Sequence, residues 1–283
     1  MKRLKDKKII ITGGSMGIGL AVAQRCAQEG AQLILVSRHS KDLKKAVQSL
    51  NGYDQKHSYY CLDVSKLFQV KEMAKVIKRK LGFIDGLVNC AGVYGPIGTS
   101  DKIDIKKFIE TIHINLLGTF YMCHHFIPLF IKGHWGKIVN YSGGGGASPF
   151  PNFSAYATSK AGIVRLSENL ALEFKKENID INVIAPGFVV TRFHQETIKA
   201  GQRAGADFLK NTIEQIEKGG VPADRAAALT AFLLSPDSDG ITGKFISASW
   251  DSWEDSHFQA KLKNDKDFAT LRRIDDKTFF KKG

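Results

Sequence analysis

Tyr156 and Lys160 stand four residues apart in the run Tyr156-Ala157-Thr158-Ser159-Lys160. On a helix that spacing places both side chains on one face. An ammonium beside a phenol favours the phenolate, so the two form an acid/base unit able to exchange a proton with a substrate oxygen. A second group lies near the start of the chain, Thr12-Gly13-Gly14-Ser15-Met16-Gly17-Ile18-Gly19. Glycines in such a run let the backbone turn tightly and approach a pyrophosphate, and a helix opening behind them offers free N–H groups and a positive dipole end. The spacing is Gly-x-x-x-Gly-x-Gly rather than the Gly-x-Gly-x-x-Gly of many dinucleotide sites.

These residues need elements to hold them. Lys8 to Thr12 reads as a buried strand, and Gly17 to Glu29 as a helix closed by Gly30. Further strands are read at Gln32 to Val36, Ser58 to Leu62, Ile84 to Asn89, Lys137 to Tyr141, Ile179 to Ile184 and Lys244 to Ser247. Helical patterns fall between them, including a long one over Ile105 to Ile131 and another over Ala155 to Lys176. Strands alternating with helices predict an α/β chain whose doubly wound, mainly parallel sheet of seven strands is covered on both faces. The chain reads as one domain over 1–249, followed by a charged extension over 250–283.

Composition narrows the function classes. The 283 residues include 41 Lys plus Arg and 28 Asp plus Glu, a net charge of +13. That charge favours anionic partners in general. No zinc-finger spacing or basic-aromatic motif supports nucleic-acid binding. No run approaches the roughly 18 consecutive apolar residues of a membrane span. The apolar stretch after the basic start is too short for a secretory leader, so the expected location is cytoplasmic. Cys26, Cys61, Cys90 and Cys123 form no CxxC pair, which points to free thiols rather than a metal site or disulfides.

Taken together, the glycine run and the Tyr156/Lys160 pair resemble those of the short-chain dehydrogenase/reductase family. The resemblance covers Lys5 to Ala248. Asn89-Cys90-Ala91-Gly92 resembles the family's Asn-Asn-Ala-Gly motif, with Cys in the second position, and Pro186-Gly187 and Thr191 follow in order. The resemblance implies a Rossmann fold and a nicotinamide cofactor held by Gly13, Ser15, Met16, Gly17, Ile18, Gly19, Ser37, Arg38, Asp63, Val64, Asn89, Ala91, Gly92, Pro186, Gly187 and Thr191. Tyr156 and Lys160 would also touch it. Tyr156 would be the general acid/base, Lys160 its partner, Ser142 the hydrogen-bond donor to the substrate carbonyl, and Asn115 the holder of a proton-relay water. The family's serine usually lies thirteen residues before the tyrosine. That position is Gly143 here, and Ser142 is taken for the role on the expectation that Gly143 to Gly146 absorb a one-residue bulge.

Ser37-Arg38-His39-Ser40 ends the second strand with no acid before Asp42. A guanidinium there suits a 2′-phosphate, so NADP(H) is expected over NAD(H). The resemblance further implies a substrate lid at about 188–220, where Arg192 and His194 could meet an anionic or polyhydroxylated substrate. The expected substrate is a small carbonyl compound or alcohol, a keto sugar, cyclitol or 3-oxoacyl group among the options. A homodimer or homotetramer packed through the helices of Asn115 and Tyr156 is also implied. The rival class is a non-catalytic NADP(H) sensor. The extension, with Trp250 and Trp253 among acids, is expected to pack from Trp250 to about Ile274 near the substrate mouth, either its own or a neighbouring subunit's.

Overall fold

The apolar runs become seven strands, β1 (Lys8–Thr12), β2 (Gln32–Ser37), β3 (Ser58–Cys61), β4 (Gly86–Asn89), β5 (Gly136–Tyr141), β6 (Ile179–Ala185) and β7 (Phe245–Ser247). All pair in parallel, in the order β3-β2-β1-β4-β5-β6-β7. The computed structural model describes residues 2–273. Ten α-helices among these residues cover the sheet: α1 (Gly17–Gln28), α2 (Ser40–Gln48), α3 (Leu67–Leu81), α4 (Ile105–Ile112), α5 (Gly118–Gly133), α6 (Ser154–Glu173), α7 (Arg192–Ala200), α8 (Ala206–Glu217), α9 (Ala223–Leu233) and α10 (Ser256–Asn264).

Side-chain alternation explains why the runs are apolar throughout. Ile9 and Ile11 join the core that holds Val22 of α1 and Phe232 of α9, whereas Ile10 joins the core of Val70, Phe126 and Phe130 on the other face. A strand covered on both faces has no position left for a polar residue. The edge strand β3, Ser58-Tyr59-Tyr60-Cys61, is only partly buried and is correspondingly mixed. Between β1 and β4 the strand order reverses direction, and such a switch point opens a crevice at the carboxyl ends of the strands.

α4, a π-turn at His113–Leu117 and α5 run on as one 29-residue helical stretch containing an 18-residue window of mean hydropathy 1.3. Its length and composition would suit a membrane span. Here Met122, Phe126 and Phe130 are instead buried in one core with Leu87 and Ile138 of the sheet. The lid region folds into α7 and α8, two helices that the sequence reading did not assign.

The extension packs on the domain. Trp253 is buried against Phe232 of α9, with ring centroids 6.0 Å apart, while Trp250 stays exposed. Leu262 of α10 is 1% exposed, and Phe258 meets Phe268 edge-on at 5.2 Å. The chain then crosses the outer edge of β7, where the N–H of Phe245 donates to the carbonyl of Ala269 at 2.7 Å. The Lys244 ammonium donates to the carbonyls of Asp265 and Phe268 at 2.6 and 2.9 Å. Leu271 donates its N–H to Glu168 of α6 at 2.8 Å, and Arg272 pairs with the same carboxylate at 3.1 Å. Ile274 and the residues beyond it lie outside the described part.

Burial of this kind makes the extension part of the core. Leu262→Ala should lower unfolding stability by about 2–5 kcal/mol, the usual cost of emptying a buried leucine site. Urea denaturation of the full chain measures it, and a loss below about 1 kcal/mol would mean that α10 is only loosely attached.

Candidate active site

The crevice at the switch point contains a cavity of about 370 Å³. Gly13, Ser15, Met16, Gly17, Ile18 and Gly19 form its floor, with Ser37 and Arg38 from the end of β2 and Asp63 and Val64 from beyond β3. Ala91 and Gly92 after β4, and Thr191 before α7, complete the expected set on its wall. The floor is built for close approach. Gly13 has φ +67°, and a Cβ on it would come within 2.9 Å of the Ala91 nitrogen. A Cβ on Gly19 would run into the carbonyl of Gly13. Met16 precedes α1 with no side-chain cap, and the first turn carries no acid, so the leading N–H groups remain available to an anion. A dinucleotide diphosphate fits that floor.

The far end of the cavity has its own chemistry. Asp63 is oriented by accepting the N–H and hydroxyl of Ser65 at 2.9 and 2.8 Å. Arg38 is exposed and, among the described residues, forms no ion pair, and His39 stands beside it on the wall. Five expected cofactor residues lie off the cavity wall: Asn89, Pro186 and Gly187, and the pair Tyr156 and Lys160. Asn89 is buried behind it and donates to Asn140 at 2.9 Å. The Pro186 carbonyl accepts from Ser249, and Gly187, at φ +83°, packs on the same serine. Ile114, Cys90 and Arg192 line the cavity without having been expected there. Ile114 follows His113 in the π-turn, a local widening that sequence periodicity does not reveal.

Tyr156 lies in the first turn of α6 and Lys160 one turn later. Tyr156 is 6% exposed, and the Lys160 ammonium stands 5.5 Å from its ring centroid. Lys160 donates to the Tyr141 carbonyl at the end of β5 at 2.9 Å. Burial holds the Lys160 pKa down at about 8. Burial also pushes the Tyr156 phenol well above its ordinary value, and Tyr94 and Cys90 push in the same direction. Asn115 is clamped by accepting the N–H of Val93 and donating to the Val93 carbonyl and the Ser159 hydroxyl, each at 2.9 Å. Gly92 separates Asn115 from Lys160, since a Cβ there would lie 3.2 Å from the Asn115 carbonyl oxygen and 3.5 Å from the ammonium.

Ser142 does not join this group. Its hydroxyl is buried, donates to the backbone carbonyl of Lys160 at 3.3 Å and packs on Gly146. The neighbouring Gly143 is the residue that faces the tyrosine, for a Cβ on it would collide with the Tyr156 hydroxyl. Successive residues leaving a strand point to opposite sides, so the bulge assumed for Ser142 is not formed. The expected carbonyl-binding serine therefore has no counterpart at Tyr156. The rest of the surroundings are aromatic. Tyr94 meets Tyr156 edge-on at 4.8 Å and Phe193 of α7 face to face at 4.7 Å. Phe150, Phe153 and Phe208 continue the wall. His194 is buried against Phe188 at 3.9 Å and accepts the Thr191 N–H, so it braces the start of α7.

This geometry separates two neighbouring positions by experiment. Gly143→Ala should lower kcat by more than about 10-fold by displacing the Tyr156 hydroxyl, because small misplacements at a reacting group are costly. Ser142→Ala should keep kcat within about threefold, as expected for a residue away from the reacting oxygen. Steady-state kinetics, with circular dichroism to check folding, compares the two. The reverse order would return the role to Ser142.

Residues 7–202 match the family model for short chain dehydrogenases. The chain is 34% identical over 248 residues to the 3-oxoacyl-(acyl-carrier-protein) reductase of Thermotoga maritima, covering 86% of this chain and 96% of that one. It is 30% identical over 245 residues to dehydrogenase/reductase SDR family member 4 of Sus scrofa, covering 87% and 86% of the two chains. Among solved structures, levodione reductase shares 31% identity with a TM-score of 0.78, over 89% of this chain and 98% of that one. NAD+-bound xylitol dehydrogenase shares 27% identity with a TM-score of 0.79, over 87% and 98%. With its site and its relatives in agreement, the chain belongs to the short-chain dehydrogenase/reductase family of oxidoreductases.

Proposed function

We propose that the protein is a cytoplasmic, NADP(H)-dependent carbonyl reductase with Tyr156 as its proton donor. The observation that carries this reading is the buried Tyr156–Lys160 pair beside a dinucleotide crevice. NADPH, when bound, supplies the hydride. A phenol kept protonated by burial suits donation to a carbonyl oxygen, which favours reduction over oxidation. Lys160 places a positive charge beside the phenolate left by that transfer. Asn115 holds the chain after β4 against α6, so that Gly92 and Lys160 keep their spacing. The aromatic wall excludes water and favours a ketone with an apolar face over the keto sugars and cyclitols considered from sequence. Names among the relatives, a 3-oxoacyl reductase and levodione reductase, are compatible with such a substrate. A sensor without catalysis would not need Tyr156 and Lys160 paired, with the ammonium behind Gly92 of the crevice wall. Exposed Ile105, Ile109 and Phe120 support a homodimer or homotetramer built through α4 to α6.

The decisive experiment is NADPH oxidation with a panel of cyclic and aryl ketones. Tyr156→Phe should lower kcat by about 100-fold or more while cofactor affinity changes little. Near-normal turnover would refute the assignment. The pH dependence follows from Lys160. Below about pH 8 it is charged and supports the proton-donating phenol. As pH rises through about 8 it loses that charge, so the reduction rate should fall with a break there. A flat profile from pH 6 to 10 would exclude the role.

Cofactor choice rests on Arg38, exposed at the end of β2 and, among the described residues, without an ion pair. Arg38→Ala should weaken NADPH by about 10-fold or more and leave NADH nearly unchanged, since only the 2′-phosphate is lost as a partner. Equal wild-type affinities in a fluorescence titration would contradict the preference.

A further inference from the structure

Arg192 is the first residue of α7, on the lid, yet its side chain lies on the wall of the cofactor crevice. Nη1 reaches Met16 Sδ in the glycine run at 3.8 Å, and Nη2 donates to the Gly92 carbonyl at 3.5 Å. Both contacts are weak for a guanidinium: a thioether is a poor acceptor, and 3.5 Å is at the limit of a hydrogen bond. Among the described residues Arg192 has no ion pair. Glu196, one turn along α7, acts on it only at longer range. Apart from the Phe193 ring, 5.9 Å from its central carbon, the guanidinium thus bridges the two banks of the crevice with no anionic partner among the described residues.

Its position indicates which anion it is matched to. Met16 precedes the uncapped N-terminus of α1, where a dinucleotide places its diphosphate. Thr191, the residue before Arg192, packs close to Gly17, whose added Cβ would be 3.7 Å from the threonine methyl. The N-termini of α1 and α7 and one guanidinium therefore converge over the same floor. A planar fork of donors suits two phosphate oxygens far better than a thioether and one carbonyl.

The next residue gives this contact a consequence. Phe193 stacks on Tyr94 at 4.7 Å, lies 6.3 Å from the Tyr156 ring and also lines the crevice. Adjacent residues of one helix turn thus serve the cofactor crevice and the aromatic wall over the acid/base pair.

We propose that Arg192 is a cofactor latch: it exchanges Met16 and Gly92 for the diphosphate of the bound dinucleotide, and through Phe193 it fixes the lid over Tyr156. The sequence reading had placed Arg192 toward substrate, and the geometry turns it toward the cofactor. The proposal rests on the crevice being the dinucleotide site and does not depend on which carbonyl compound is reduced.

The test is binding rather than turnover. Wild type, Arg192→Ala and Arg192→Lys are titrated calorimetrically with NADPH, NADH, ADP and adenosine. Tryptic cleavage after Lys199 and Arg203 in the lid is followed with and without NADPH. Arg192→Ala should lose about 10- to 100-fold in affinity for NADPH, NADH and ADP alike, the scale of a charge-assisted hydrogen bond, with adenosine unaffected. Arg192→Lys should fall between, because it keeps the charge and loses the fork. NADPH should slow lid cleavage in wild type and fail to do so in Arg192→Ala. A loss confined to NADPH would move Arg192 to the 2′-phosphate and overturn the proposal. Unchanged affinity for all four ligands would overturn it as well, as would lid protection that survives in the alanine variant. If wild type binds neither NADPH nor NADH, the reading of the crevice fails instead, a result separable from any of these.

Discussion

The site depends on one buried hydroxyl that ties the ends of two strands together. Thr12 Oγ1, at the end of β1, accepts the N–H groups of Cys90 and Ala91 at 3.1 and 3.2 Å and donates to the Val88 carbonyl at 3.4 Å. It fixes the separation of β1 and β4 where the strand order reverses, and so sets the width of the crevice. Gly13 follows at once and approaches the Ala91 nitrogen as closely as only a glycine can. Gly92, one residue beyond Ala91, lies between Asn115 and Lys160. The placement of the acid/base pair relative to the cofactor floor is thus transmitted through a few backbone atoms around a single threonine.

Burial governs the acid/base pair in opposite senses. It raises the phenol and lowers the ammonium, so it disfavours the charged form of each and moves their proton affinities apart. The aromatic wall that causes this has little hydrogen bonding to offer a substrate. Under the proposed function, recognition would come mainly from shape and apolar contact, with Tyr156 as the polar point against which a carbonyl is aligned.

Much of the fold was legible because buried parallel strands write themselves as apolar runs between amphipathic helices. Ile9-Ile10-Ile11 and Leu33-Ile34-Leu35-Val36 needed no further context. The glycine run and Tyr156/Lys160 were legible because their geometry is local. Ser142 was misplaced because side chains alternate along extended backbone. A shift of one residue turns the hydroxyl to the wrong side, and residue type was given more weight than that alternation. The place of Arg192 on the crevice wall was not legible because its partners lie 100 and 176 residues away in the chain. α7, α8 and α10 were missed because their sequences, rich in charge, carry no long apolar stripe.

The helix that carries Tyr156 and Lys160 near its start is gripped further along by the extension. Glu168 of α6 accepts from Leu271 and pairs with Arg272, while Arg165 donates to the Leu271 carbonyl at 2.7 Å. These partners leave the ribosome about a hundred residues after the helix itself. During synthesis the glycine run, the crevice and the catalytic helix can assemble first, while Glu168 and the outer edge of β7 still await their partners. An interrupted chain would then present a nearly complete domain with an open strand edge and a buried carboxylate left with Arg165 of its own helix alone. Those are features by which a cell's proteolytic machinery can tell an unfinished molecule from a finished one.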